Sequence, residues 1–321
     1  MSLPCQCAAN LPCRFLSQLE TAITKNPKEA NLGGIPTTIN KVRAYIRLLS
    51  ARRELGADNI ELQSLRDDYV WVLIFYLLRC GLVKEAADYV AENVGAIRNM
   101  DRNFPHYIAS YATDPDMRLL PELQTRIASE YSQRARIAPE HSLDPYRMAC
   151  YKVIGRCEMS KRTLDNISTR VEDWVWLQFA LAREVNRVEE AAGDVYGLED
   201  IQGVIQEIGQ RHFSPGSEAS GSFGMFFFLQ ILAGMFEQAV SYLYNHNYVS
   251  AVHFAIALAY YGLLRVSDYS SSADLCKRSA LIVCVCLADK DCSILYDSTK
   301  ATDQLWHASW LLHPRLPYCQ A

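Results

Sequence analysis

An uncharged stretch, YVWVLIFYLL at 69–78, ends in Arg79-Cys80-Gly81 and runs almost directly into VKEAADYVAENVGAI at 83–97. Asp67-Asp68 stands before the apolar run as an N-cap, and Gly81 follows it as a C′ residue. A helix that is apolar on every side needs cover on every side. The second segment is amphipathic, with Val83, Ala86, Ala87, Val90 and Val94 at spacings near three and four. Together they read as an antiparallel helical hairpin with a very short turn. Such a unit cannot bury both of its faces alone, so it is expected to stack on others.

The rest of the chain has the same punctuation. Pro121 opens a polar helix expected to reach Ile137, and Asp144-Pro145 is an N-cap followed by proline at the first helical position. Glu172-Asp173 falls in the first turn of VEDWVWLQFALAREV, where carboxylates complement the helix dipole. Segments 226–232, 235–244, 248–264 and 273–287 continue the helical series. Loops are expected at 26–38, 98–120, 157–169 and 211–224, the last being the most linker-like and mobile. A short motif recurs at Gly81, Gly234 and His246: a turn residue, Ala at +5, a small or aliphatic residue at +6 and an aromatic at +8. No segment alternates like a strand. Gly (15) and Pro (12) are too few for a many-stranded sandwich or barrel. The expected fold class is all-α, an irregular α-helical solenoid of stacked antiparallel helix pairs.

Composition narrows the function. Half of the 321 residues are hydrophobic, which suits a large core, and the net charge of −4 gives no electrostatic reason to grip nucleic acid. The 11 cysteines contain no CxxC pair. Cys284 and Cys286 would point about 200° apart on a helix, so most thiols read as reduced core residues. Pro4 and Pro12 interrupt any signal-peptide pattern, and the apolar runs are shorter than the ~18 residues of a membrane span.

Catalytic motifs are missing. There is no phosphate loop, GxGxxG or HExxH. Gly33-Gly34 follows no strand, and Ser220-Gly-Ser222-Phe-Gly224 lacks the first glycine of a nucleophile elbow. Asp67-Asp68 is followed by Trp71 where a magnesium-binding helix would need a third carboxylate. His246 falls in a turn and His253 on an apolar face, where a core histidine is the simpler reading. Asp114 with Asp116 and Glu189-Glu190 read as solvated surface. The basic clusters Arg52-Arg53, Arg134 with Arg136 and Lys161-Arg162 are short and not interleaved with aromatics. No catalytic, cofactor-binding or metal residue is nominated, and no cofactor is called for.

Six segments then add up in order: GIPTTINKVRAYI (34–46), WVLIFYLLRCGLVKEAADYV (71–90), DPYRMACYKVIGRCE (144–158), VEDWVWLQFAL (171–181), FFFLQILAGMFEQAVSYLY (226–244) and AVHFAIALAYYGLLR (251–265). With them the chain resembles the nucleoporin-interacting-component family, which includes the ninety-three-kilodalton nucleoporin. The resemblance implies a folded-back helical solenoid in the inner ring of the nuclear pore complex at the nuclear envelope. It implies no catalytic residues. It implies other nucleoporins as partners, scaffold and membrane-associated ones among them, with no direct nucleic acid and membrane contact only through partners. Which residues touch those partners stays unknown. The pattern departs at both ends, so the chain is expected to be truncated relative to the family. The expected domains are 1–33, poorly ordered or an isolated helix; 34–287, the solenoid; and 288–321, a divergent tail. A solenoid cut after Arg265 would expose an apolar helix face.

The function that follows is a structural scaffold component of the pore, supporting nucleocytoplasmic transport by binding other nucleoporins. The alternatives are another helical-repeat scaffold, such as a vesicle-coat or proteasome-lid-like subunit, and an all-helical enzyme with an unrecognised site. Circular dichroism of the purified chain should be dominated by helix; a clear strand signature would refute the fold class.

Overall fold

The computed structural model describes residues 3–56, 62–137, 144–164, 167, 170–183, 196–213 and 223–264. Among these the chain is all-α apart from one two-stranded hairpin. It divides into two compact units, one of Ala8–Tyr196, the other of Met1–Cys7 with Gly197 onward. The first holds α1 (Leu3–Lys25) from Ala8 onward, α2 (Pro27–Ala30), α3 (Thr38–Ala51), β1 (Ser64–Leu65), β2 (Asp68–Tyr69), α4 (Val70–Arg79), α5 (Val83–Glu92) and α6 (Val94–Met100). It continues with α7 (Phe104–Thr113), α8 (Pro121–Ile137), α9 (Pro145–Gly155) and α10 (Val171–Leu181). The second holds α11 (Leu198–His212), α12 (Phe223–Leu232), α13 (Phe236–His246) and α14 (Tyr248–Tyr260).

Helix α4 is the axis of the first unit. Every residue in it except Tyr76 is buried, and it packs on α3, α5 and α9. That matches a helix with no polar face. It ends in a Schellman turn: the Leu82 N–H donates to the Leu77 carbonyl (2.9 Å) and the Gly81 N–H to the Leu78 carbonyl (3.0 Å), with Gly81 at φ 76°. Gly234 repeats this after α12, at φ 70°, with Met235 N–H on Gln230 and Gly234 N–H on Ile231. The recurring alanines Ala86, Ala239 and Ala251 are each fully buried, because small side chains at these places let helices approach closely. The His246 copy differs at its turn. There the Asn247 side chain caps α14, accepting from the Ser250 N–H at 3.0 Å.

Several expectations need correction. Asp67-Asp68 does not cap α4; Asp68 sits in β2 and its carboxylate accepts three bonds from the Arg43 guanidinium at 2.9–3.0 Å. The β1–β2 hairpin is too short for strand alternation to register. Within α1, Leu11, Phe15, Leu19 and Ile23 form a buried stripe four residues apart. Within 98–120, expected as loop, α7 forms where Asp101 accepts from the Asn103 and Phe104 N–H groups and Pro105 follows. Helix α11 forms outside the expected segments, and its Gly209 lets it close on α12: a Cβ there would collide with the Phe226 ring. Helices α8, α9, α10, α12 and α13 begin within three residues of the expected places. Segment 273–287, the tail 288–321 and most of the 211–224 linker lie outside the described residues.

A buried ion network ties α7, α8 and α9 to the end of α6. Asp101 is 3% exposed; its Oδ2 accepts from Tyr151 Oη (2.5 Å) and Arg147 Nη2 (2.8 Å) and pairs with the Arg134 guanidinium, whose Nη2 stands 3.1 Å away. Glu130 accepts from Tyr107 Oη (3.0 Å) and Asn103 Nδ2 (2.5 Å). The two arginines lie over aromatic rings, Arg134 on Tyr151 and Arg147 on Trp71. Arg134, one of the short basic clusters in the sequence, is thus drawn inward. Burial alone would raise the Asp101 pKa, but the Tyr151 and Arg147 hydrogen bonds and the Arg134 charge outweigh it and hold it below the usual carboxylate value.

Two outcomes follow for stability. Gly81→Ala and Gly234→Ala should each cost about 1–2 kcal/mol for a left-handed residue with a Cβ. Gly81→Ala should cost more, because its Cβ would stand 3.0 Å from Pro12 Cβ while nothing faces Gly234 within 4 Å. Urea unfolding measures both, and equal losses would show that the Pro12 contact yields freely. Asp101→Asn should cost about 3–5 kcal/mol at neutral pH, as for one partner removed from a buried pair. Since the folded pKa is lowered, that contribution is present above the ordinary carboxylate pKa of about 3.9 and fades as the pH falls through it toward the folded value. Unfolding of both proteins from pH 7 to pH 3 should show the gap narrowing.

Candidate partner-binding cleft

Among the described residues, two clefts on the unit of residues 8–196 are lined by polar and aromatic side chains. The larger, ≈ 440 Å³, lies among α1, α3, α4 and the start of α10. Its floor is aromatic. Tyr45 meets Phe15 and Tyr76 edge-on at ring distances of 6.0 and 5.5 Å, and Phe15 stacks parallel to Tyr76 at 6.1 Å. Burial pushes the phenol pKa values of Tyr45 and Tyr76 up, so both stay neutral at physiological pH. The rim carries Glu54, Glu172 and Asp173 against one guanidinium, Arg170, which stands 3.7 Å from Glu54.

Behind the floor lies Arg79, the one charged residue of α4. Its side chain is 2% exposed. The guanidinium sits 4.3 Å from the Phe15 ring centroid and 5.1 Å from that of Trp176. Its Nε donates to Asp173 Oδ1 at 2.9 Å and its Nη2 to the Glu172 carbonyl at 3.3 Å. Burial lowers the Arg79 pKa while the Asp173 carboxylate opposes the loss of charge. Asp173 also accepts from the Arg170 N–H at the start of α10. So the carboxylate expected to serve the helix dipole anchors a buried arginine as well. A lone arginine in an otherwise apolar run was the available signal.

The arrangement can take an apolar side chain on the aromatic floor and a cationic group at the carboxylate rim. The smaller cleft, ≈ 320 Å³, is lined by residues including Arg43, Arg47, Asp68 and Tyr69. Its cations are already engaged, Arg43 with Asp68 and Arg47 with the Ala30 and Asn31 carbonyls.

Among the described residues, the other candidates from the sequence do not converge. Asp114 closes an exposed turn, accepting from the Asp116 and Arg118 N–H groups. His246 ends α13 and stacks on Phe223 at 5.4 Å, whereas His253 lies half-buried on α14. Glu189-Glu190, Ser220, Ser222, Cys284 and Cys286 lie outside the described residues. Cys80, Cys150 and Cys157 are buried, and burial pushes the Cys80 and Cys157 thiols up to about 12. Among the described residues no cluster of three or more His, Cys, Asp or Glu is placed to hold a metal ion, and no helix is long and apolar enough to cross a membrane.

The Arg79–Asp173 pair gives an asymmetric expectation. Asp173→Ala leaves a buried guanidinium without its carboxylate and should cost about 3 kcal/mol. Arg79→Met removes the charge itself, leaves an Asp173 that is 22% exposed and reaches water, and should cost less. Urea unfolding of the two variants and the double variant measures the difference, and equal single losses would contradict it.

Known proteins share this architecture. A family described as Nup93/Nic96 matches residues 5–291. The nucleoporin NIC96 of Chaetomium thermophilum is 55% identical over 263 residues, covering 81% of this chain and 24% of that protein. NIC96 of Saccharomyces cerevisiae is 32% identical over 83% of this chain and 29% of its own length, and the Xenopus laevis nuclear pore complex protein Nup93 is 27% identical over 78% and 29%. The crystal structure of Chaetomium thermophilum Nic96 SOL superposes with a TM-score of 0.79 at 53% identity, over 85% of this chain and 38% of that one. The chain therefore spans about a quarter to a third of the length of these curated relatives. Family match, sequence identity and helical architecture agree, and the chain belongs to the Nup93/Nic96 family.

Proposed function

We propose that this chain is a piece of a nuclear pore scaffold, located at the nuclear envelope, that binds other nucleoporins and catalyses no reaction. The superposition on Nic96 SOL, with a TM-score of 0.79 at 53% identity, carries this reading. The mechanism is passive: stacked helices hold surfaces at fixed spacing, and segments of other pore proteins dock on them. Any membrane contact runs through those partners. The solenoid begins with α1, before residue 34; its reach to 287 and a divergent tail over 288–321 belong to the same proposal.

In the unit of residues 8–196 the docking place is the cleft floored by Phe15, Tyr45 and Tyr76. Its carboxylate rim suits a nucleoporin segment with an apolar anchor next to a lysine or arginine. Affinity purification of the tagged chain from cells should bring down nucleoporins; vesicle-coat or proteasome-lid subunits in their place would refute the scaffold assignment. The charge-reversal variant Glu54→Lys/Glu172→Lys alters exposed or half-exposed residues and should keep its helical dichroism. It should lose about tenfold or more in affinity for the cleft partner, as for opposed charges at a docking rim.

A further inference from the structure

The three carboxylates at the rim of the larger cleft are not equivalent. Glu54 faces Arg170 at 3.7 Å, with side chains 42% and 70% exposed. Asp173 is committed through both oxygens: Oδ1 accepts from Arg79 Nε at 2.9 Å and Oδ2 from the Arg170 N–H at 3.4 Å. Glu172 differs. Its main-chain carbonyl accepts from Arg79 Nη2 at 3.3 Å, but its half-buried side chain enters no ion pair among the described residues. A cation arriving at the rim therefore meets three different costs. At Glu54 it displaces Arg170, so one exposed pair replaces another with little net gain. At Asp173 it draws the carboxylate away from Arg79, whose side chain is 2% exposed and would be left as an unpaired buried charge. At Glu172 it displaces nothing.

We propose that Glu172 is the residue that selects a partner's cation, and that Arg79 limits the cleft to one such cation by holding Asp173. This rests on the reading of the cleft as a docking place for a nucleoporin segment, and it sharpens the chemistry of that segment. The segment that fits carries one lysine or arginine beside its apolar anchor, and a second cation adds nothing. Arg79 does not touch the partner. It is a positioning residue that acts through Asp173, and its guanidinium, 4.3 Å from the Phe15 ring centroid, backs the floor on which the apolar anchor rests. Specificity then comes from charges already spent inside the protein: a segment with two adjacent cations pays to desolvate the second and finds no free carboxylate for it.

Titration of the full chain with three synthetic peptides, followed by NMR of the peptide signals, tests this. The probes are acetyl-Ala-Phe-Lys-Ala-amide, its analogue with norleucine in place of lysine, and acetyl-Ala-Phe-Lys-Lys-Ala-amide. The lysine peptide should bind about fivefold tighter than the norleucine one, and the two-lysine peptide within about twofold of the one-lysine peptide. Glu172→Gln should bring the lysine and norleucine peptides to the same affinity. Arg79→Met frees the Asp173 carboxylate, so the two-lysine peptide should gain about fivefold over the one-lysine peptide. A merely structural role for Arg79 would weaken all three peptides alike, and that result overturns its part. The wild-type comparison and Glu172→Gln leave the core untouched, so they decide the matter even where Arg79→Met loses its helical dichroism. If no peptide binds, the docking reading of the cleft fails and the proposal falls with it. If the norleucine peptide binds as tightly as the lysine one, if Glu172→Gln keeps the lysine preference, or if a second lysine strengthens wild-type binding about fivefold, the docking reading stands and the proposal alone is overturned.

Discussion

The first unit depends on the burial of α4. A helix apolar on every side has no stable place at a surface, and its neighbours must enclose it. Helices α3, α5 and α9 do so, and α1 closes over the Phe15–Tyr45–Tyr76 cluster. Arg79, at the end of this helix, is buried with the rest and needs a countercharge. Asp173 supplies it from a position 94 residues later. The pair links the start of α10 to the end of α4 and, as the polar backing of the aromatic floor, also shapes the cleft. Core packing and the candidate docking surface therefore share one constraint.

The two glycine-turn hairpins carry this logic into both units. After α4 and after α12 a left-handed glycine reverses the chain in the fewest residues, and a buried alanine in the next helix lets the two axes close. Charge enters the interior only where several elements meet. Asp101 gathers Tyr151, Arg147 and Arg134 from α8 and α9 at the end of α6. Buried pairs of this kind add little net stability over apolar packing. Their effect is to penalise other arrangements, because a displaced helix would strand a charge. For the scaffold role proposed above, that selectivity matters more than extra stability.

Helices and turns with local signals were legible from the residues alone. Asp144-Pro145 caps α9 as its side chain suggests, accepting from the Tyr146 and Arg147 N–H groups. Gly81 and Gly234 terminate their helices, and the all-α class and the family follow from the ordered segments. The sequence leaves 1–33 as poorly ordered or an isolated helix, because the α1 stripe at Leu11, Phe15, Leu19 and Ile23 is interrupted by Pro12 and diluted by polar neighbours. Helix α7 escaped notice because its cap, Asp101, precedes a proline and reads as loop chemistry.

What the amino-acid order settles by itself is what acts within a few residues: caps, glycine reversals, and the period that marks a helix as one-sided or all-round apolar. Tertiary structure alone decides which charges meet. Asp68 looks like a cap and binds Arg43; Asp173 looks like a dipole residue and also holds Arg79; Arg134 looks like surface and lies over Tyr151. The reason is physical. A side chain's local preference is worth about 1 kcal/mol, whereas a buried charge left unpaired costs several, so long-range pairing overrides the local reading.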